Sequence, residues 1–119
     1  MRTKSPAELV AEAKTRIREV TVDEVKQLLG APGAPILVDV REPKETNLGI
    51  IPGAVIIPLA QVAAQIGAVA PPDAHVVIYC ARGNRSALAA DTLQEMGYRD
   101  VASMAGGIIV WAGSGGPVE

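Results

Sequence analysis

Apolar positions recur along the chain with two periods. Leu9, Val10, Ala13 and Ile17 repeat at helical spacing behind Ser5-Pro6-Ala7-Glu8. There Ser5 can cap, Pro6 suits the first helical position and Glu8 completes a capping box, so the pattern predicts a helix from Ser5 to Arg18. Lys14, Arg16 and Arg18 near its far end complement the helix dipole. Thr21 and Glu24 repeat the cap ahead of Val25, Leu28 and Leu29, and Gly30 with Ala31-Pro32-Gly33-Ala34-Pro35 ends that helix. Further helices are predicted over Leu59 to Ile66, through Leu88, Ala89, Thr92, Leu93 and Met96 up to Gly97, and from Ile108 to Trp111.

Between these segments lie short continuous apolar runs, the pattern of strands covered on both faces. Five strands are expected. Four are placed by such runs: Ile36-Leu37-Val38-Asp39-Val40, Val55-Ile56-Ile57, Val76-Val77-Ile78-Tyr79 and Val101-Ala102-Ser103-Met104. Strands alternating with helices imply an α/β fold, a five-stranded parallel sheet with helices on both faces, plus the extra N-terminal helix.

Composition narrows the function classes. A chain of 119 residues, 49% hydrophobic and 20% charged, suits one domain with a real core rather than disorder. The net charge of −2 gives no general attraction to nucleic acid or anionic membrane, so a bound anion must be held by a local cluster. One cysteine rules out an internal disulfide framework. The N-terminus lacks a signal-like apolar core and no run approaches spanning length, so the expected location is cytoplasmic.

Candidate chemistry concentrates after the run ending in Tyr79, in Cys80-Ala81-Arg82-Gly83-Asn84-Arg85-Ser86. A strand that delivers a thiol to a tight turn opening a helix can build an anion-binding nucleophile. Turn amides and the helix N-terminus favour the thiolate, with Ser86 or Asn84 available as caps. Arg82 and Arg85 add full charges, and Gly83 permits the curl. A buried, inert cysteine is the bland alternative. A Walker-type phosphate loop lacks its pattern, and a metal site lacks partner ligands. Asp39 and Arg41 share one side of the segment at the end of their strand, where open α/β sheets place ligands. They suit either a structural network or a substrate-facing Arg41. His75, the only histidine, precedes the fourth strand at the end opposite Cys80, too far away to serve as its base.

The stretch Val38-Asp39-Val40-Arg41-Glu42-Pro43, then Gly49-Ile50-Ile51-Pro52-Gly53-Ala54, the loop from Cys80 to Ser86, and Met104-Ala105-Gly106-Gly107 with Trp111 together resemble a single-domain rhodanese. The likeness spans residues 19 to 112, leaving 1–18 as a helical extension and 113–119 as a mobile tail. It implies a thiosulfate sulfurtransferase in which Cys80 carries a persulfide. Thiosulfate or another sulfane-sulfur donor would load it, and cyanide, a thiol or a partner protein would unload it. The resemblance implies that amides from Arg82 through Gly83, Asn84 and Arg85 to Ser86 cradle the outer sulfur, with Arg82 or Arg85 on the sulfite portion. No cofactor, nucleic acid or membrane is implied. Ile50 stands where members often carry histidine, which bears on local hydrogen bonding in the turn.

Two other functions remain open. A cysteine phosphatase or arsenate reductase could share the scaffold, although cysteine phosphatases carry C-x-x-x-x-x-R and this loop, with Arg85 five residues after Cys80, is one residue shorter. The shorter loop favours a sulfur atom over a tetrahedral phosphate. A non-catalytic sulfur carrier or regulatory module is the other.

Overall fold

The computed structural model describes residues 3–119, so the first two residues of the expected extension lie outside the described residues. Strands β1 (Arg18–Val20), β2 (Ile36–Asp39), β3 (Val55–Ile56), β4 (His75–Tyr79) and β5 (Asp100–Met104) form one sheet in the order β1-β5-β4-β2-β3. Every neighbouring pair is parallel. Helices α1 (Pro6–Arg16), α2 (Val22–Leu29), α3 (Pro43–Thr46), α4 (Val62–Gln65), α5 (Asn84–Glu95) and α6 (Gly107–Gly113) complete the chain.

The central strand explains the unbroken apolar runs. In β4, Val76 and Ile78 enter one core with Val38, Val62, Ile66, Ala89 and Leu93. Val77 and Tyr79 enter a second core with Val25, Leu37, Met104 and Trp111. Both faces are therefore covered, by α4 and α5 on one side and by α2 and α6 on the other, as expected for a parallel sheet. Each fully buried Val, Leu or Ile contributes roughly 1.5–3 kcal/mol relative to exposure.

Both capping boxes form. Ser5 Oγ accepts from the Glu8 amide at 3.1 Å while the Ser5 amide donates to Glu8 Oε1 at 3.2 Å. Thr21 and Glu24 repeat the exchange at the same distances. Helix α1, however, ends at Arg16 rather than at Arg18, and Ile17 is already extended at φ −108°. The next three residues are β1, the strand that no apolar run marked. Its Arg18 and Glu19 are exposed and only Val20 is buried, so it pairs with β5 through backbone at the sheet edge. The helix expected over 59–66 is likewise divided, with α4 flanked by 3-10 turns at Leu59–Gln61 and Ile66–Ala68.

Helix α1 packs against α5. Arg16 donates to both carboxylate oxygens of Asp91 at 2.9 and 2.8 Å, and Gln94 Nε2 donates to the Arg16 carbonyl at 3.3 Å. The segment after α6 lies back along the turn that precedes β3. Trp111 Nε1 donates to the Pro117 carbonyl at 2.8 Å, and Ile50 and Glu119 exchange backbone hydrogen bonds of 2.8 and 2.9 Å. No helix among the described residues is long and apolar enough to cross a membrane.

Candidate active site

Cys80 follows β4 directly, and its loop curls so that the start of α5 faces the sulfur. Gly83 sits at the N-cap with φ +97°, a region glycine enters at little cost. A Cβ there would come within 3.2 Å of the Gly106 amide nitrogen. Neither Asn84 nor Ser86 caps the helix with a side-chain oxygen, contrary to the expectation from the turn sequence. The cysteine sulfur takes that place. Sγ accepts from the Gly83 amide at 3.2 Å and from the Ser86 amide at 3.4 Å, with the Ser86 hydroxyl 3.5 Å away. A helix N-terminus leaves amides without intrahelical acceptors, and here they converge on a thiol.

Burial pushes the Cys80 thiol up. The Ser86 hydroxyl and the amides of Ser86, Gly83 and Arg82 outweigh it and leave the thiol below its ordinary value. Ser86 is itself positioned from below, because its hydroxyl lies 2.8 Å from that of Ser103, a fully buried residue of β5. The loop is held from the other side by α6. Ile108 and Ile109 donate their amides to the carbonyls of Cys80 and Ala81 at 2.9 and 3.2 Å. Gly107, at φ +62°, lies so close that a Cβ would collide with the Ala81 carbonyl.

The residues expected to bind an anion separate into groups. Cys80, Arg82, Gly83, Asn84, Arg85 and Ser86 come together around a small cavity of about 160 Å³, lined by Cys80, Ala81, Arg82, Asn84 and Arg85. The Arg82 side chain is exposed and has no hydrogen-bond or ion-pair partner among the described residues. Asn84 accepts from Lys14 of α1 at 3.4 Å. Arg85 forms a bidentate pair with Glu45 of α3 at 2.6 and 2.9 Å. Arg41 is buried on Asp39, with Nε and Nη2 donating at 3.1 and 2.8 Å, and its Nη2 also reaches the Gly49 carbonyl at 2.7 Å. That network ties the end of β2 to the following turn, where the Ile51 amide donates to the Tyr79 hydroxyl at 3.0 Å.

Three contributors escaped the sequence reading. Ser103 looked like strand filler, and Gly107 like part of a turn. Glu45 lies in α3, a short helix that the apolar spacing did not mark. His75 lies at the far end of β4, 3.9 Å from Asp100, as its strand position predicted. Among the described residues no cluster of three or more acidic, histidine or cysteine side chains is placed to hold a metal.

Residues 21–114 match the rhodanese-like domain family. The chain belongs to that family. A sulfurtransferase from Allochromatium vinosum is 36% identical over 102 residues, covering 86% of this chain and 94% of the relative. A mitochondrial thiosulfate sulfurtransferase from Saccharomyces cerevisiae is 28% identical over 127 residues, covering 95% of this chain and 85% of that protein. A solved structure from Rhodopseudomonas palustris superposes with a TM-score of 0.86 at 35% identity, covering 100% of this chain and 97% of that one. It is described as a protein of unknown function with tyrosine phosphatase as a suggested activity. Some curated relatives are longer, and the chain spans 24% of the length of one of them. The rhodanese match begins at residue 21, so helix α1 lies outside it, and the loop on Cys80 falls well within it.

Proposed function

We propose that this rhodanese-like domain is a sulfurtransferase that carries sulfane sulfur as a persulfide on Cys80. The observation that carries the reading is the convergence of the Gly83 and Ser86 amides on Sγ at 3.2 and 3.4 Å. Those donors stabilise a thiolate, and their flanking amides suit a second sulfur added above it. In the loading step the Cys80 thiolate attacks the outer sulfur of thiosulfate. A new S–S bond forms, the bond to the sulfonate sulfur breaks, and sulfite leaves with the electron pair. In the unloading step a thiolate or cyanide attacks the terminal sulfur and Cys80 departs as thiolate. The transfer step itself needs no general base, because a thiolate attacks sulfur directly. Arg82 is the cation assigned to the sulfite portion. Arg41 takes a structural role on Asp39 in this reading.

A phosphatase is the reading that the Rhodopseudomonas palustris protein raises. The five-residue step from Cys80 to Arg85 leaves a short loop, and the arginine that would clasp phosphate is paired with Glu45. Turnover on thiosulfate plus cyanide, set against turnover on an aryl phosphate, separates the two. Cys80-dependent thiocyanate release is expected; Cys80-dependent release of phosphate alone would overturn the proposal.

A further inference from the structure

Helix α1 lies outside the residues that match the family, yet it is built onto the helix that opens from the cysteine loop. Its anchoring is firm. Ala13 is fully buried, and Arg16 holds both carboxylate oxygens of Asp91 on α5. Between α1 and the first turns of α5 runs a groove of about 560 Å³, a size that takes a small organic ligand. Val10 and Leu88 give it half-buried apolar walls, and the small side chains of Ala7 and Ala11 leave it room. Asn84 and Arg85 line both this groove and the cavity over Cys80, so the two spaces share a wall. No acid lines the groove among the described residues, and of its two cations Arg85 is already paired with Glu45. The other, Lys14, is exposed. Among the described residues its ammonium meets only the Asn84 side-chain oxygen at 3.4 Å, a contact long enough for an anion to replace.

Apolar walls, one available cation and a wall shared with the reaction cavity are complementary to a thiol that carries an apolar body and an anionic group. We propose that α1 and α5 form an acceptor subsite, that its occupant is a small organic thiol of that kind, and that Lys14 is its specificity-determining residue. The inference rests on the sulfurtransferase reading and names the acceptor class. With the apolar body in the groove, the acceptor's thiolate enters the cavity and attacks the terminal sulfur of the Cys80 persulfide. A new S–S bond forms, the Cys80 S–S bond breaks, and Cys80 leaves with the electron pair as thiolate. Its charge returns to the amides of Gly83 and Ser86. The acceptor departs as a persulfide, and a proton on the terminal sulfur travels with it.

The test loads Cys80 with thiosulfate, removes the excess and follows single-turnover unloading by three acceptors. These are mercaptohexanoate, its uncharged counterpart mercaptohexanol, and cyanide, which is too small to occupy the groove. The two thiols share a chain and a thiol of similar acidity, so a difference between them reads the carboxylate. The unsubstituted protein should half-saturate with mercaptohexanoate at a concentration about fivefold lower than with mercaptohexanol, the effect of one exposed ion pair. Lys14→Gln should erase that difference and Lys14→Arg should retain it, with cyanide unloading unchanged in both. Ala11→Phe fills the groove from an exposed position. It should raise half-saturation for both thiols about tenfold and again spare cyanide. Equal half-saturation by the two thiols in the unsubstituted protein overturns the proposal. So does a Lys14→Gln protein that slows cyanide along with the thiols, which would mark a structural role through Asn84. An Ala11→Phe protein that unloads to both thiols as before overturns it too. Failure of the sulfurtransferase reading is distinct, since no persulfide would then load and cyanide would release no thiocyanate.

Discussion

Strand β4 begins at the chain's only histidine and leads straight into its only cysteine, and the two ends are built differently. At His75 the surroundings are loose. Its ionic partner Asp100 is 3.9 Å away and half exposed, and its Nε2 is buried with no hydrogen-bond partner among the described residues. At Cys80 three separate elements close on one atom: α5 supplies amides, β5 supplies Ser103 beneath Ser86, and α6 ties down the loop carbonyls. The difference follows from chain direction. In a parallel sheet the C-terminal strand ends all face one side, where the following helices begin and their unpaired amides point. A nucleophile at that side inherits a positive field, whereas a titratable group at the other side does not.

The largest expected break in this contrast is Gly107→Ala. The added Cβ would collide with the Ala81 carbonyl at a positive φ, costing roughly 2–4 kcal/mol of stability and displacing the loop. A fall in the urea midpoint together with loss of rapid Cys80 alkylation is the expected pair of results; an unchanged midpoint would show that α6 does not brace the loop.

A smaller effect is expected from Ser103→Ala, which frees the Ser86 hydroxyl beneath the sulfur. Because the folded thiol lies below its unfolded value, its ionised form is favoured and adds stability present above the unfolded pKa. That stability is lost as pH falls through the folded value. Losing a hydrogen bond worth about 1 kcal/mol should move the alkylation midpoint towards that of a free thiol and slow alkylation at neutral pH roughly fivefold. An unmoved pH profile would mean that Ser86 needs no support from Ser103. The smallest effect belongs to His75→Ala, for which Cys80 reactivity should stay unchanged and stability should move by about 0.5 kcal/mol or less. A loss of sulfur transfer there would dissolve the distinction between the ends.

Much of the sheet was legible because burial on both faces forces apolar runs, as in Val76 to Tyr79. Strand β1 was not, since Arg18 and Glu19 are exposed and its pairing with Ala102 and Ser103 is a backbone matter. Its basic residue resembled a helix terminus instead. The cysteine loop was legible as a candidate site from one cysteine set between a strand and a glycine turn. The partner of Arg85 was not, because Glu45 is forty residues away and meets it only through the fold. Ser103 was hidden for a similar reason, being a polar residue whose only clue is full burial in β5.

The central claim is that the loop makes Cys80 a carrier of one transferable sulfur. Intact mass measurement after incubation with excess thiosulfate and removal of the reagent tests it most directly. The account predicts a gain of one sulfur atom that cyanide removes and that Cys80→Ser abolishes. No adduct, or an adduct that survives in Cys80→Ser, would contradict it.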